Sequence, residues 1–203
     1  MEKTKKSKEE KIMIITEEAK IRTLCEEVKT VKEGEEIGAQ LLKELTESKN
    51  GIGLAANQIG INKRVCVVNV KEPLVLINPK IVEKSEEKFI FPEGCLSFPD
   101  KKIRTQRYVS ITIETDNHNE QLSFSADSGD INDAFECVCV QHEIDHLNGI
   151  TMFDRELIRE PYIAPEKIGR NEKVTITDGT ETKVMKYKKV DKYLEDGWNL
   201  VEV

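Results

Sequence analysis

The chain has 203 residues, of which 38% are hydrophobic and 34% are charged, and its formal net charge at pH 7 is -7. This length suits one domain with a modest appendage, and no apolar run approaches the roughly 18 residues that a membrane span needs. An acidic protein does not hold nucleic acid by bulk electrostatics. We therefore expect neither a membrane protein nor sequence-specific binding of nucleic acid.

The first residues and the cysteines both point to the cytoplasm. Met1–Lys11 mixes charges of both signs and lacks the apolar core of a secretory signal, so we expect a polar terminus. The five cysteines are odd in number and form no CxxC pair. That pattern is typical of reduced thiols that are buried or bound to metal, and we expect a cytoplasmic protein.

The secondary-structure signals change from helix to strand and back to helix. Apolar residues spaced by three and four predict an amphipathic helix over Glu35–Thr46, ending near Asn50 and Gly51. Alternating or Val- and Ile-rich runs then predict four strands: Arg64–Val70, Leu74–Val82, Tyr108–Glu114 and Gln121–Ser125, with a hairpin turn at Asp116–Asn119. The acidic loop Ala126–Asp133 offers N-caps for a helix over Ala134–Leu147. This order predicts an α+β fold, with a mainly antiparallel sheet packed on the long second helix.

The character of the chain changes after about Pro161. Two short strand signals flank Asp178 and Gly179, a pair that favours a hairpin, and a short helical pattern covers Val190–Glu195. We therefore divide the chain into a main domain, residues 1–160, and a small hairpin-plus-helix extension, residues 161–203. The structural signals of the extension lie within Glu166–Val203, and fewer than 40 residues rarely hold a core alone, so we expect the extension to pack against the main domain.

The long second helix carries the pattern HExxH at His142, Glu143 and His146. Positions i and i+4 share one helical face, so both imidazoles can reach one ion, while Glu143 stays close enough to handle a proton. The alternative is a chance match on a charged surface helix. The apolar turn before His142 argues against it, because buried histidines need partners.

A hydrolytic metal site needs a third protein ligand and one open position. His118, the remaining histidine, lies in the predicted turn, where we expect a solvated side chain. Cys95 is a candidate ligand, although a lone cysteine is more often buried packing. Glu156 and Glu160 are also available, and a ligand from that side would be typical of a zinc endopeptidase.

The segment Gly51–Gln58 combines two glycines with small residues at a helix end. Such a segment permits close backbone contact with an extended ligand, and Gln58 adds an amide donor. On its own it could equally be a tight packing turn.

Taken together, three segments resemble the signature motifs of the peptide deformylase family: GIGLAANQ, EGCLS and QHEIDHLNG, in that order. The resemblance covers roughly Ile12–Asp154. It implies one divalent metal ion, natively Fe(II), with Ni, Co or Zn as substitutes. It also implies these roles: Cys95, His142 and His146 as metal ligands, Glu143 as the proton-transfer residue, and Gln58 with the backbone N–H of Leu96 as oxyanion donors.

The resemblance further implies a reaction: removal of the formyl group from the N-terminal formyl-methionine of nascent polypeptides, with release of formate. The peptide would lie along Gly51, Ile52, Gly53 and Gly94. Phe135, Val138 and Cys139 fall on the helical face that leads to His142, so they would line the methionine pocket, with core packing as the other interpretation. The ribosome near its exit tunnel is a further candidate partner.

Some features depart from the family pattern. The family often has an arginine shortly after EGCLS, where this chain has Lys101 and Lys102, and the sequence leaves open whether Arg104 or Arg107 serves instead. Two alternatives to a deformylase also remain: a zinc endopeptidase of the HExxH type, and a catalytically inactive, ribosome-associated binding protein.

Overall fold

A computed structural model describes residues 13–48, 50–157 and 168–202, and the chain divides into two units, Met1–Leu157 and Ile158–Val203. The predicted polar terminus Met1–Lys11 and the candidate ligand Glu160 lie outside the described residues. Across the described part of the chain, no helix combines the length and the apolar character that crossing a membrane would require.

The first unit contains helices and antiparallel strands. The helices are α1 Glu18–Ile21, α2 Val31–Glu47 and α3 Ile131–Leu147. The strands are β1 Gly53–Ala55, β2 Val65–Asn69, β3 Pro73–Ile77, β4 Lys80–Lys84, β5 Lys88–Cys95, β6 Phe98–Tyr108, β7 Ser110–Glu114 and β8 Leu122–Ser125. They pair as β1-β2-β3, as β4-β7-β8 and as the hairpin β5-β6, antiparallel throughout. The predicted α+β class with antiparallel pairing is confirmed.

Helix α2 begins four residues before the predicted start at Glu35. The Thr30 hydroxyl accepts a hydrogen bond from the Glu33 backbone N–H and caps the first turn. Val31 is the one apolar side chain longer than glycine in the first turn, so apolar spacing could not reveal that turn. Leu41 and Leu45 then pack with Val67 and other residues of the β2-β3 sheet, which fixes the helix against that sheet.

The single strand predicted over Leu74–Val82 is wrong, because the chain changes sheets within it. β3 pairs with β2, whereas β4 pairs with β7. The break falls at Asn78, whose φ of 51° is left-handed and whose side chain bonds the backbone of Val28 in both directions. Apolar residues lie on both sides of the break between the two strands, so hydrophobic pattern could not locate it. The Asn-Pro dipeptide at this point was the one local indication of a turn.

The β5-β6 hairpin was not predicted. Its strands carry many charged residues, and only short stretches are buried, so neither alternation nor an apolar run stood out. The hairpin matters for the site because β5 ends at Cys95. The predicted strand Tyr108–Glu114 is accordingly shorter: Tyr108 ends β6, and β7 begins at Ser110.

Helix α3 forms the centre of the first unit. It begins at Ile131, three residues before the predicted Ala134, and the Asp130 carboxylate caps it by accepting from the Asn132 N–H. Every residue from Cys137 to Leu147 is buried. Its apolar members pack between the two three-stranded sheets, in one cluster with residues of β2, β7 and β8. The polar side chains of this stretch are therefore buried as well, and each needs a partner.

The second unit is a small sheet with one short helix. Its elements are β9 Lys173–Thr177, β10 Thr182–Lys186, α4 Asp191–Glu195 and β11 Asn199–Glu202, with strand order β10-β9-β11. The predicted hairpin at Gly179 and the helix are present, whereas β11 was missed. Val174, Ile176, Val190 and Leu200 form a buried cluster. The expectation that this segment lacks a core of its own is therefore wrong.

Candidate metal centre

Three side chains of the metal-binding type converge where β5 ends against α3. The Cys95 Sγ lies 3.3 Å from the His146 Nε2, and the two histidine Nε2 atoms lie 3.2 Å apart. All three ligand atoms are within 4.8 Å of one another, and no other such group of three His, Cys, Asp or Glu occurs among the described residues. A thiolate and two imidazoles suit a divalent transition metal, so this donor set fits the implied ion.

A hydrogen bond to its Nδ1 atom fixes the orientation of the His142 ring. Its Nδ1 donates to the Glu93 Oε2 at 2.7 Å, which turns Nε2 toward Cys95 and His146. A carboxylate on the far nitrogen of a ligating histidine fixes the ring orientation and makes the imidazole a better ligand. Glu93 thus has a definite place in the site, two residues before Cys95.

A buried ion-pair network extends behind Glu93. Arg107 donates to the Glu93 Oε2 at 2.8 Å and also bonds the Asp145 carboxylate, while Arg155 donates to Asp145 at 2.8 Å. Burial opposes the charge on Glu93, but the bonds from Arg107 and His142 outweigh it and lower the Glu93 pKa to about 2. Both carboxylates are nearly inaccessible to solvent.

This network was not predicted from the sequence. Glu93 and Asp145 belong to two of the three sequence motifs, but residue spacing along the chain could not show which side chains they contact. The presence of charged residues within apolar motifs could have indicated it, because a buried carboxylate needs a cation or a hydrogen-bond donor as its partner. Arg107 supplies that cation, whereas Arg104 is exposed.

Arg107 should be a main determinant of the stability of the first unit. In Arg107→Leu, two buried carboxylates lose a cation, and we expect the free energy of unfolding to fall by about 3–5 kcal/mol. Arg107→Lys keeps the charge but not the planar fork, so its loss should be smaller. Urea unfolding of metal-loaded protein measures both. Arg104→Leu, the same change at an exposed site on β6, is the control, and equal losses at both positions would contradict the assignment.

Glu143 lies beside the metal-binding group but is not a member of it. Glu143 as a whole is only 3% exposed to solvent. Its Oε2 atom is buried and has no hydrogen-bond partner in the described part of the chain. Burial raises the Glu143 pKa to about 7. The carboxylate is therefore suited to accept and to release a proton near neutral pH.

Gln58 and Leu96 both lie next to Cys95. The Gln58 Oε1 accepts from the Ala55 N–H at 2.8 Å, and its Nε2 donates to the Ser97 Oγ at 3.1 Å and points toward the Cys95 Sγ at 3.5 Å. These contacts fix the orientation of the Gln58 side-chain amide, so that its NH2 group faces the cleft. Leu96 follows Cys95 directly in the turn between β5 and β6.

A cleft of about 600 Å³ joins these groups. The predicted site residues that line it are Gly51, Ile52, Gly53, Gln58, Gly94, Cys95, Leu96, Phe135, Val138, Cys139, His142 and Glu143. His146 lies behind this surface, 1% exposed. A larger cavity of about 820 Å³ elsewhere contains none of these residues; His118 lines it and hydrogen-bonds Thr115.

One wall of the cleft is apolar. Val138 and Cys139 are almost fully buried, and Phe135 is 39% exposed and packs edge-on against Phe91. Burial, and then the nearby Glu143 charge, raise the pKa of the Cys139 thiol well above its usual value, so the thiol stays neutral. Backbone packs directly against this wall, since a side chain at Gly53 would collide with Glu143 and Cys139.

Comparison with known proteins agrees with the motifs. The polypeptide deformylase family profile matches residues 10–161. A peptide deformylase of Rhizobium meliloti is 38% identical over 151 residues, covering 71% of this chain and 83% of that protein. The solved structure of a probable peptide deformylase from synechococcus phage S-SSM7 has 37% identity and a TM-score of 0.61, covering 71% of this chain and 99% of the other.

A second solved structure, a peptide deformylase from Synechococcus elongatus in complex with actinonin, has 30% identity and a TM-score of 0.64. The similarity covers 78% of this chain and 85% of that one. The profile match spans most of the chain and includes every candidate site residue. This chain belongs to the peptide deformylase family.

Proposed function

We propose that this protein is a metal-dependent peptide deformylase, which hydrolyses the N-formyl group of formyl-methionyl nascent polypeptides and releases formate. The observation that carries the proposal is the convergence of Cys95, His142 and His146 within 4.8 Å, beside Glu143 in a cleft. We assign this activity to residues 1–160 and leave residues 161–203 as an extension, because every residue of the proposed site lies between Gly51 and His146.

Cys95, His142 and His146 would hold the ion. A divalent ion held there would supply a Lewis acid, which would lower the pKa of water and polarise a carbonyl group. We propose Fe(II) as the native ion, with Ni, Co or Zn as substitutes, since a mixed sulfur and nitrogen donor set accepts all four. The Glu93 carboxylate keeps the His142 ring oriented for this role.

The substrate would bind as an extended strand between two segments of backbone. Gly51, Ile52 and Gly53 line the cleft, and so does Gly94. Exposed backbone groups pair with an added peptide strand whatever its sequence, which suits an enzyme that acts on many nascent chains. We place the reaction in the cytoplasm near the ribosome exit tunnel, where formyl-methionyl chains emerge.

Three groups of the chain would act on the reacting atoms. The Gln58 amide and the Leu96 backbone N–H would donate to the formyl oxygen as negative charge develops; one such donor typically changes the rate by about 10²–10³-fold. Glu143 would take a proton from the attacking water and pass it to the leaving amine. Its buried Oε2, which has no hydrogen-bond partner among the described residues, supports this role.

Formyl-Met peptides should exceed formyl-Ala and formyl-Glu peptides in kcat/KM by about tenfold to a hundredfold. Each buried methylene contributes about 0.8 kcal/mol, and a charged side chain would lose its water without gaining a partner. Phe135, Val138 and Cys139 would form this methionine pocket. Rates of formate release measure the preference.

Val138→Asp should remove most of the methionine preference while the metal stays bound. Ile131→Asp on the same helix is the control, because Ile131 is exposed and lies outside the cleft. Equal kcat/KM for formyl-Met and formyl-Glu peptides in the unaltered enzyme would refute the pocket but not the activity.

Formate release from formyl-Met-Ala-Ser by metal-loaded protein tests the proposed function. A deformylase releases formate and leaves the peptide bonds intact. An endopeptidase would instead cut longer peptides internally, and an inactive binding protein would retain the peptide without turnover. Acetyl-Met-Ala-Ser, which carries one more methyl group at the reacting carbon, is the matched substrate control.

A further inference from the structure

Two lysines line the cleft beside the candidate metal centre. Lys101 and Lys102 are exposed residues of β6 and border the same space as Cys95 and Glu143. Within the described part of the chain, neither ammonium group takes part in an ion pair or a side-chain hydrogen bond. Both charges are therefore available to a ligand.

The carboxylates that line this cleft do not neutralise them. Glu93 is hydrogen-bonded by Arg107 and His142, and Glu143 is a buried residue of α3. The mouth of the cleft is thus locally positive in a protein whose net charge is -7. A cleft with low-dielectric walls concentrates such a field and acts on whatever charge enters it.

The lysines lie close to where a bound peptide would run. Lys102 is opposite Gly94 in the β5-β6 ladder, and its Cγ lies 4.0 Å from a Cβ built on Gly94. Gly94 directly precedes Cys95. Since each extended residue spans about 3.3–3.6 Å, a peptide with its formyl group at Cys95 brings its next side chains toward these lysines.

We propose that Lys101 and Lys102 select formyl-methionyl chains with aspartate or glutamate at the second or third residue. This inference rests on the proposed deformylase function and names the class of nascent chain that it favours. An exposed pair of opposite charges changes binding only a few-fold. Two lysines should therefore raise kcat/KM about threefold to tenfold for an acidic peptide over a neutral one.

The test compares formate release from formyl-Met-Ala-Ser, formyl-Met-Glu-Glu and formyl-Met-Lys-Lys. The acidic peptide should have the highest kcat/KM and the basic peptide the lowest. The difference should shrink as the ionic strength rises from about 0.01 M to about 1 M, where the screening length falls from about 30 Å to about 3 Å. A preference unaffected by salt would contradict the electrostatic origin.

The double variant Lys101→Glu/Lys102→Glu should reverse the order of the acidic and basic peptides. Lys29→Glu/Lys80→Glu changes the net charge equally at exposed positions outside the cleft, and it should keep the original order. If both variants reversed the order, overall charge would be the cause and the proposal would be overturned. Equal rates for all three peptides would overturn the selection alone, whereas no formate from any peptide would overturn the proposed function.

Discussion

Replacing Glu143 with glutamine should lower kcat by about 10²–10⁴-fold and leave the metal content unchanged. Glutamine has nearly the same shape but cannot accept the proton of the attacking water. Glu143 is not a member of the metal-binding group, so the ligands remain complete. Burial already disfavours the charged form of Glu143, so a neutral residue there should not weaken the fold.

Steady-state formate release, together with metal analysis of the same preparation, separates these effects. Glu120→Gln, the same substitution at an exposed residue outside the cleft, is the control and should keep full activity. A Glu143→Gln enzyme with near-normal turnover would show that another group moves the proton. A variant that lost its metal would show that Glu143 supports the ligands instead.

The overall class of the fold could be predicted, because α2 and most strands follow local apolar periodicity and because N-capping residues precede α3. The β5-β6 hairpin could not, since its stability comes from pairing between two charged strands that no single segment reveals. The break at Asn78 depends on contacts with Val28, which lies 50 residues away. Contacts between residues far apart in the sequence cannot be predicted from local sequence pattern.

The site residues likewise include some that local sequence pattern could predict and some that it could not. HExxH places two ligands by helical geometry alone, so the closeness of His142 and His146 could be predicted. Cys95 lies in a turn, and only the resemblance of EGCLS to a family motif singled it out before the structure placed it 3.3 Å from His146. Arg107 was left undecided, because its burial between Glu93 and Asp145 requires three separate elements to come together.

His146→Ala should empty the metal site and abolish turnover. His146 lies within hydrogen-bond distance of both Cys95 and His142, so its loss leaves two ligands where three are needed for a stable open site. A bound divalent ion lowers the pKa of water and so makes hydroxide available near neutral pH. Without it, we expect the rate to fall by more than about 10³-fold.

The metal-to-protein ratio, measured with turnover on protein purified without oxygen, tests the central claim most directly. The unaltered protein should contain about one divalent ion per chain, and His146→Ala should contain almost none and release no formate. His118→Ala is the matched control, because His118 lines a different cavity and should be dispensable for metal and activity. A His146→Ala protein that kept a stoichiometric ion and normal turnover would contradict the assignment of the metal centre.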